Sequence, residues 1–161
     1  MGESTETVEL PDVEATVEFG RRIGAALRAG DLVLLAGPLG AGKTVVVRGI
    51  ADALGVSGRV SSPTFVLARV HPAGCGGVPL VHVDAYRLGG RLDELDDLDL
   101  DTALADAVVV VEWGAGSAER LSEDHLLIEL ERRADNTRIA HVHPRGAWTT
   151  RPLLRSAGKT Q

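Results

Sequence analysis

The chain has few of the residues that build disulfide frameworks, thiolate metal clusters or basic nucleic-acid surfaces. Cys75 is its only cysteine among 161 residues, which excludes a disulfide framework and a cysteine-ligated cluster. The formal net charge is −6, which argues against a protein that holds nucleic acid by its own electrostatics. No apolar run approaches the length of a membrane span, and the acidic start MGESTETVEL lacks a signal-peptide pattern. We therefore expect a cytoplasmic protein with no membrane partner.

Aromatic residues and lysines are also scarce. Aromatic residues make up 3% of a chain that is 44% hydrophobic, so the core must be built mostly from Val, Leu and Ala. The length indicates one domain. We predict a single domain over residues 1–148, with residues 1–6 frayed and residues 149–161 forming a flexible C-terminal tail. Lysine occurs twice against fifteen arginines, and one of the two is Lys43.

Lys43 lies in the segment GPLGAGKT, Gly37 to Thr44, which matches the phosphate-binding loop pattern G-x-x-x-x-G-K-[ST]. Backbone N–H groups of such a loop surround the phosphates, and the Ser/Thr hydroxyl binds Mg²⁺. A compact lysine ammonium can reach between two phosphates, whereas the wide guanidinium of arginine would not fit a closed loop. The pattern predicts Thr44 as a magnesium ligand and a triphosphate-binding segment made of Leu39, Gly40, Ala41, Gly42, Lys43, Thr44 and Val45.

The flanking segments have the patterns that this loop requires. Asp31 to Gly37 is a continuous apolar run typical of a buried parallel strand, and Lys43 to Gly55 has helical spacing with a glycine stop. A first helix is predicted from the N-cap Asp12 to about Ala29. Further strands are predicted at Phe65–Val70, Leu80–Tyr86, Asp106–Trp113, His125–Arg132 and Thr137–His143. These elements predict an α/β, P-loop NTPase-like three-layer fold whose mostly parallel central sheet carries antiparallel hairpin additions.

Two acidic residues stand where predicted strands end. Asp84 follows LVHV and Glu112 follows VVVV. Ligands of open α/β sheets gather at the carboxyl ends of strands, so these carboxylates are candidate Mg²⁺ ligands and catalytic groups. One would hold the metal and the other would orient or activate the attacking water. His82 alternates with Asp84, which favours an orienting role beside the site. Thr64 is a turn threonine that could approach a γ-phosphate.

Four blocks in this order resemble the TsaE (YjeE) family of small bacterial ATPases: GPLGAGKT, SPTF, HVDAYRL and the pair Glu112–Trp113. The resemblance covers the chain from Leu10 to near Gly146. It implies ATP and Mg²⁺ as ligands, and a role in making the threonylcarbamoyladenosine of tRNA. It also implies a carbamoyl-transferase partner (TsaD), its non-catalytic relative (TsaB), and contact with tRNA only through that complex. The chain departs from the family pattern at Pro38 and Val45.

By position, the resemblance implies a role for each candidate residue. It makes Lys43 the phosphate lysine and Thr44 the magnesium ligand. Asp84 becomes the magnesium-associated acid, Glu112 the second essential acid and Thr64 a candidate switch threonine. These roles predict an ATPase that depends on its partner subunits and acts on or resets the transferase complex.

Two other function classes remain open at this stage. A small-molecule or nucleoside kinase also uses a phosphate loop, but it needs a second substrate pocket and an arginine-bearing lid, for which Arg87 and Arg91 are the only nearby candidates. A switch that binds ATP and acts only by docking is the other. A GTPase is disfavoured because the chain contains no N-K-x-D motif.

Overall fold

The structure, a computed structural model, describes residues 6–38, 42–55, 68–71, 78–84, 107–112 and 124–150. These ranges contain two α-helices, α1 (Val13–Ala26) and α2 (Lys43–Leu54), and a 3-10 helix at Gly146–Thr150. They also contain seven strands: β1 (Glu6–Leu10), β2 (Leu32–Ala36), β3 (Ala68–His71), β4 (Leu80–Asp84), β5 (Val108–Glu112), β6 (His125–Arg132) and β7 (Arg138–Arg145). No helix in the described ranges has the length and apolar character needed to cross a membrane.

The seven strands form one sheet in the order β1-β7-β6-β2-β5-β4-β3. The four central strands, β6, β2, β5 and β4, run parallel to one another. Strand β3 pairs antiparallel with β4 at one edge, and β7 and β1 add two antiparallel strands at the other. The predicted α/β fold, with a parallel sheet centre and antiparallel hairpin additions, is confirmed. Its carboxyl edge is where the phosphate-loop segment leaves β2.

Helices α1 and α2 pack against each other and against one face of the sheet. Asp12 caps α1, because its Oδ1 accepts a hydrogen bond of 2.8 Å from the N–H of Ala15. Aliphatic side chains from both helices share one core cluster with alternate residues of β2, β5, β6 and β7. Residues of the opposite sheet face, among them Leu34 and Val109, are buried as well, as expected of a parallel sheet covered on both faces.

The helices meet through glycines rather than through large side chains. A Cβ atom added at Gly20 would lie 3.0 Å from the Cα of Gly49, and one added at Gly24 would lie 2.8 Å from the Ala53 Cβ. Both contacts are shorter than ordinary van der Waals separations. The missing side chains therefore allow the two backbones to approach closely, which sets the position of α2 and of the loop that precedes it.

The structure differs from the sequence prediction at several boundaries. Strand β1 was not predicted, and Glu6, placed at the end of a frayed segment, opens this strand and pairs with Val142. Helix α1 ends at Ala26 rather than near Ala29, because Leu27 adopts an extended conformation and buries its side chain. Strand β4 ends at Asp84, two residues before the predicted end.

The C-terminal boundary of the domain, predicted at residue 148, stays a prediction. The 3-10 helix crosses it and extends to Thr150. Trp148 in this helix is 2% exposed and belongs to the core cluster. The described chain is therefore packed against the sheet up to the predicted boundary.

Candidate nucleotide-binding site

The phosphate-loop segment begins and ends with glycines in the left-handed region. Gly37 follows β2 with φ +142°, and Gly42 precedes α2 with φ +104°. At Gly37 an added Cβ would lie 2.5 Å from the carbonyl oxygen of Leu130, so both the backbone angle and the space favour glycine. Helix α2 begins directly after the second glycine, with Lys43 as its first residue. The chain thus enters the helix in the way a phosphate loop requires.

The side chain of Lys43 is buried and folds back over the loop. Its Nζ donates hydrogen bonds to the carbonyl oxygens of Gly37, at 2.8 Å, and Pro38, at 3.0 Å. The residue is only 5% exposed. A buried ammonium is stable only with good acceptors or an anion beside it, so these carbonyls hold its charge at the inner side of the loop. Proline has no backbone N–H to donate. The contact between Pro38 and Lys43 does not need one, because the Pro38 carbonyl oxygen accepts the hydrogen bond.

Glu112 joins the loop to the neighbouring strands. Its Oε2 accepts a hydrogen bond of 3.3 Å from the Thr44 hydroxyl and lies 2.5 Å from Nε2 of His82. Glu112 is 4% exposed and His82 is fully buried. This arrangement follows from the sheet order, because β5 lies between β2 and β4. The predicted second acid and the predicted magnesium hydroxyl are therefore in contact.

Asp84 ends β4 directly opposite Glu112. The two residues are partners in the parallel register of β4 and β5, so their backbones lie at the same level of the carboxyl edge. Both candidate acids thus belong to adjacent strands at the edge where α2 begins. Carboxylate and hydroxyl oxygens are ligands that Mg²⁺ prefers, and Mg²⁺ in nucleotide sites usually has one or two carboxylates together with phosphate oxygens and water.

The donor set in the described part of the chain fits that pattern. No group of three or more His, Cys, Asp or Glu residues suited to hold a metal occurs among the described residues. An all-protein metal cage is thus absent from those ranges, whereas a Thr44 hydroxyl beside the Glu112 carboxylate fits a cation that arrives with its phosphates.

Several predicted site residues lie outside the described residues. They are Leu39, Gly40, Ala41 and Thr64. Gly42, Lys43, Thr44 and Val45 are described: they form the helix entry, and Val45 is half-buried in the first turn of α2. The individual site roles remain predictions.

Two residues beside the loop were missed by sequence reasoning. A Cβ added at Gly42 would lie 3.7 Å from Cγ2 of Thr16 and 4.0 Å from Nε of Arg138. Thr16 belongs to α1 and is 4% exposed, an unusual burial for a hydroxyl residue on an amphipathic helix. Arg138 is the first residue of β7. Its neighbours in the sequence do not indicate that this strand begins near the phosphate-loop segment. The order of the strands in the sheet brings Arg138 close to that segment.

The chain is similar to proteins of one known family. Residues 10–140 match the family model "Threonylcarbamoyl adenosine biosynthesis protein TsaE". A protein of Streptomyces coelicolor with the name tRNA threonylcarbamoyladenosine biosynthesis protein TsaE is 54% identical, over 88% of this chain and 99% of its own length. A protein of the same name from Mycobacterium tuberculosis is 58% identical, over 83% of this chain and 84% of its own.

A solved structure is similar over the whole fold. The crystal structure of Bacillus subtilis YdiB superimposes with a TM-score of 0.76 at 25% sequence identity, covering 98% of this chain and 99% of that chain.

Proposed function

The chain belongs to the TsaE family of threonylcarbamoyladenosine biosynthesis proteins, and on this premise we propose that it is the ATP-hydrolysing component of that tRNA modification machinery. The observation that carries the proposal is the contact between Glu112 and Thr44. It brings a buried carboxylate to the hydroxyl of the phosphate-loop motif, at the point where α2 begins. A phosphate loop alone would support nucleotide binding, whereas the added carboxylate supports chemistry on the nucleotide.

Lys43 would neutralise phosphate charge. Its Nζ now lies on the carbonyls of Gly37 and Pro38, and these contacts hold it at the loop. When triphosphate binds, a modest rotation of this flexible side chain exchanges carbonyl acceptors for phosphate oxygens. A charged acceptor gives the stronger hydrogen bond, so the exchange favours the bound nucleotide. The same interaction stabilises the charge that develops on the transferred phosphoryl group.

Thr44, Asp84 and Glu112 are the groups we propose to hold Mg²⁺. Bound there, the ion would neutralise phosphate charge and polarise the phosphoryl group. Glu112 would also orient the attacking water at the γ-phosphate. His82 fixes the Glu112 carboxylate through the 2.5 Å contact, so that this group does not need to reorganise during the reaction.

The partners we propose are a TsaD-like carbamoyl-transferase and its TsaB-like relative. The chain carries a net charge of −6, which suits a subunit that leaves tRNA binding to others. Hydrolysis of ATP would then act on or reset the transferase complex. The cytoplasm is the compartment that these partners and substrates require.

The test is reconstituted modification of purified, unmodified tRNA by the two partner subunits, with ATP, Mg²⁺ and this protein. We expect Lys43→Ala and Glu112→Gln to lower the yield of modified nucleoside by about 100-fold or more, the scale of a lost catalytic group. Glu129→Gln is the matched control, because it makes the same change at an exposed carboxylate of β6. Full activity of both site variants would contradict the proposal.

Two further arms of the experiment separate the other functions. A non-hydrolysable ATP analogue that supports many rounds of modification would favour a docking switch over an ATPase. Transfer of phosphate to a metabolite, with no effect of the partner subunits, would favour a kinase.

A further inference from the structure

The ammonium of Lys43 is held by two consecutive carbonyl groups at the start of the phosphate-loop segment. Its Nζ donates to the oxygens of Gly37 and Pro38, at 2.8 Å and 3.0 Å, and the residue is 5% exposed. A hydrogen bond weakens steeply as its angle departs from linearity, so the ammonium keeps this position only while both carbonyls keep their direction. The backbone torsion angles of Gly37 and Pro38 therefore decide where the charge lies.

The sheet fixes the first of these two residues. Ala36, the last residue of β2, pairs with Glu129 of β6. Gly37 follows it with φ +142°, and a Cβ added there would lie 2.5 Å from the carbonyl oxygen of Leu130. The backbone of Gly37 thus lies tightly against β6, and this packing limits its movement.

The second residue lies beyond the end of β2, and its own ring restricts it. Pro38 is exposed, so a residue of another type at this place could rotate about φ. The pyrrolidine ring locks φ at about −65°. The ring also clashes with the preceding residue in the α region, which narrows the ψ range of Gly37, the angle that directs the Gly37 carbonyl. One ring therefore restricts both carbonyls that hold Lys43.

We propose that Pro38 is a positioning residue of the nucleotide site and acts through Lys43. This inference rests on the proposed nucleotide-binding function. The ring keeps the ammonium at the inner side of the loop, a short rotation from the phosphate oxygens that it would bind. Without the ring, the start of the loop also adopts conformations in which the ammonium points elsewhere, and the apparent affinity falls with the fraction of binding-competent chains.

The effect of Pro38 should be the same for ATP and for ADP. The ring orders the loop before the ligand arrives, and such pre-organisation lowers the entropy lost on binding. It strengthens the binding of the ground state and of the transition state equally. A gain of this kind lowers KM without raising kcat.

The first test replaces Pro38 by alanine and by glycine and titrates the whole protein with ATP and with ADP. Alanine frees φ, and glycine adds further backbone freedom, so the loss should be graded. We expect about 2- to 5-fold weaker binding for Pro38→Ala and about 5- to 30-fold weaker binding for Pro38→Gly, the size of measured backbone-entropy effects. In ATP hydrolysis with the partner subunits, KM should rise while kcat stays near that of the unaltered chain.

Pro79→Gly is the matched control. Pro79 is half-buried and immediately precedes β4, at the edge of the sheet opposite the phosphate loop. Its carbonyl oxygen accepts a hydrogen bond of 3.0 Å from the N–H of Val108, a contact that glycine can also make. This variant gains the same backbone freedom away from the loop, and its nucleotide affinity should change by less than about twofold.

The second test observes the ammonium itself. Lys43 and Lys159 are the only lysines of the chain, so Lys159→Arg leaves a single Nζ signal in the NMR spectrum of protein made with isotope-labelled lysine. Burial and two carbonyl acceptors slow the exchange of the ammonium protons with water in the nucleotide-free protein. We expect several-fold faster exchange in Pro38→Gly, because the protons exchange from the open loop. A purely structural role elsewhere in the fold would leave this exchange rate unchanged.

Equal affinities of Pro38→Gly and the unaltered protein for ATP and ADP would contradict this inference alone, as would equal proton exchange at Lys43. If the unaltered protein binds neither nucleotide, the proposed function itself fails. Should Pro38→Gly not fold, Pro38→Ala alters the loop less and is judged in both experiments by the same criteria.

Discussion

The crossing of α1 and α2 gives a prediction whose size can be worked from the structure. Gly49 of α2 lies against α1 so closely that a Cβ added there would be 2.9 Å from the backbone nitrogen of Arg21 and closer still to the carbonyl oxygen of Val17. Both neighbours are backbone atoms, which cannot turn away as a side chain can. In Gly49→Ala, the contact with the Val17 carbonyl oxygen requires the helices to separate by about 1 Å to reach an ordinary contact distance.

Two terms of opposite sign decide the stability of Gly49→Ala. Over-packing against backbone costs about 3 kcal/mol, the upper part of the usual range. Alanine in a helix interior gains about 1 kcal/mol over glycine. The net loss should be about 2 kcal/mol in the free energy of unfolding, which corresponds to a fall of roughly 4–8 °C in Tm for a chain of this size. Because α2 begins with Lys43 and Thr44, nucleotide affinity should fall as well.

Urea denaturation followed by far-UV circular dichroism measures the free energy directly. Arg48→Ala is the control, since it places alanine on the exposed side of α2 next to the test position and should change stability by less than about 0.5 kcal/mol. Unfolding of Gly49→Ala at the same urea concentration as the unaltered chain, or at a higher one, would refute this prediction. In that case the helix contact would be loose enough to admit a methyl group.

Three further measurements test other contacts. Asp12→Ala removes the N-cap of α1 and should cost about 1 kcal/mol in urea denaturation, and an unchanged midpoint would contradict the capping role. A double-mutant cycle of His82→Leu with Glu112→Gln should give a coupling energy of about 1–3 kcal/mol, whereas additivity would show that the buried contact has no energetic role. The hydrogen bonds from the Thr137 side chain and backbone hold the pKa of Asp135 below its ordinary value. The ionised Asp135 carboxylate therefore stabilises the folded chain above the ordinary pKa, and this stabilisation is lost as the pH falls through the lowered pKa. A carboxyl NMR titration should show this lowered pKa, with a rise in the Thr137→Ala variant; an ordinary pKa in both would contradict the assignment.

The helices and strands whose ends depend on residues close together in the sequence could be predicted from the sequence. Strand β2 and helix α2 were placed to within one or two residues, because an apolar run, a glycine-bounded loop and a glycine stop are all local signals. Strand β1 was missed because its stabilising partner, β7, lies more than 120 residues away and the segment itself is short and polar. The residue pattern of a short segment does not indicate which distant strand it pairs with.

The difference between local sequence signals and long-range strand pairing also decides which site contacts could be predicted. Lys43 and Thr44 follow from one motif, and Glu112 from its place after four valines. The contact of Glu112 with Thr44 and His82 depends on β5 lying between β2 and β4, an order that no single segment encodes. Arg138 was missed for that reason: its position beside the loop is a consequence of strand order, and its own sequence surroundings are those of any hairpin turn.

The central claim is that Glu112 and the phosphate-loop segment form an ATP-hydrolysing site. Its most direct test is phosphate release from ATP and Mg²⁺ by the purified protein together with its two proposed partners, comparing the unaltered chain with Glu112→Gln. We expect turnover by the unaltered protein and a fall of about 100-fold or more in kcat for the variant, with ATP binding retained. Equal rates for the two proteins, or no phosphate release by the unaltered protein with both partners present, would contradict it.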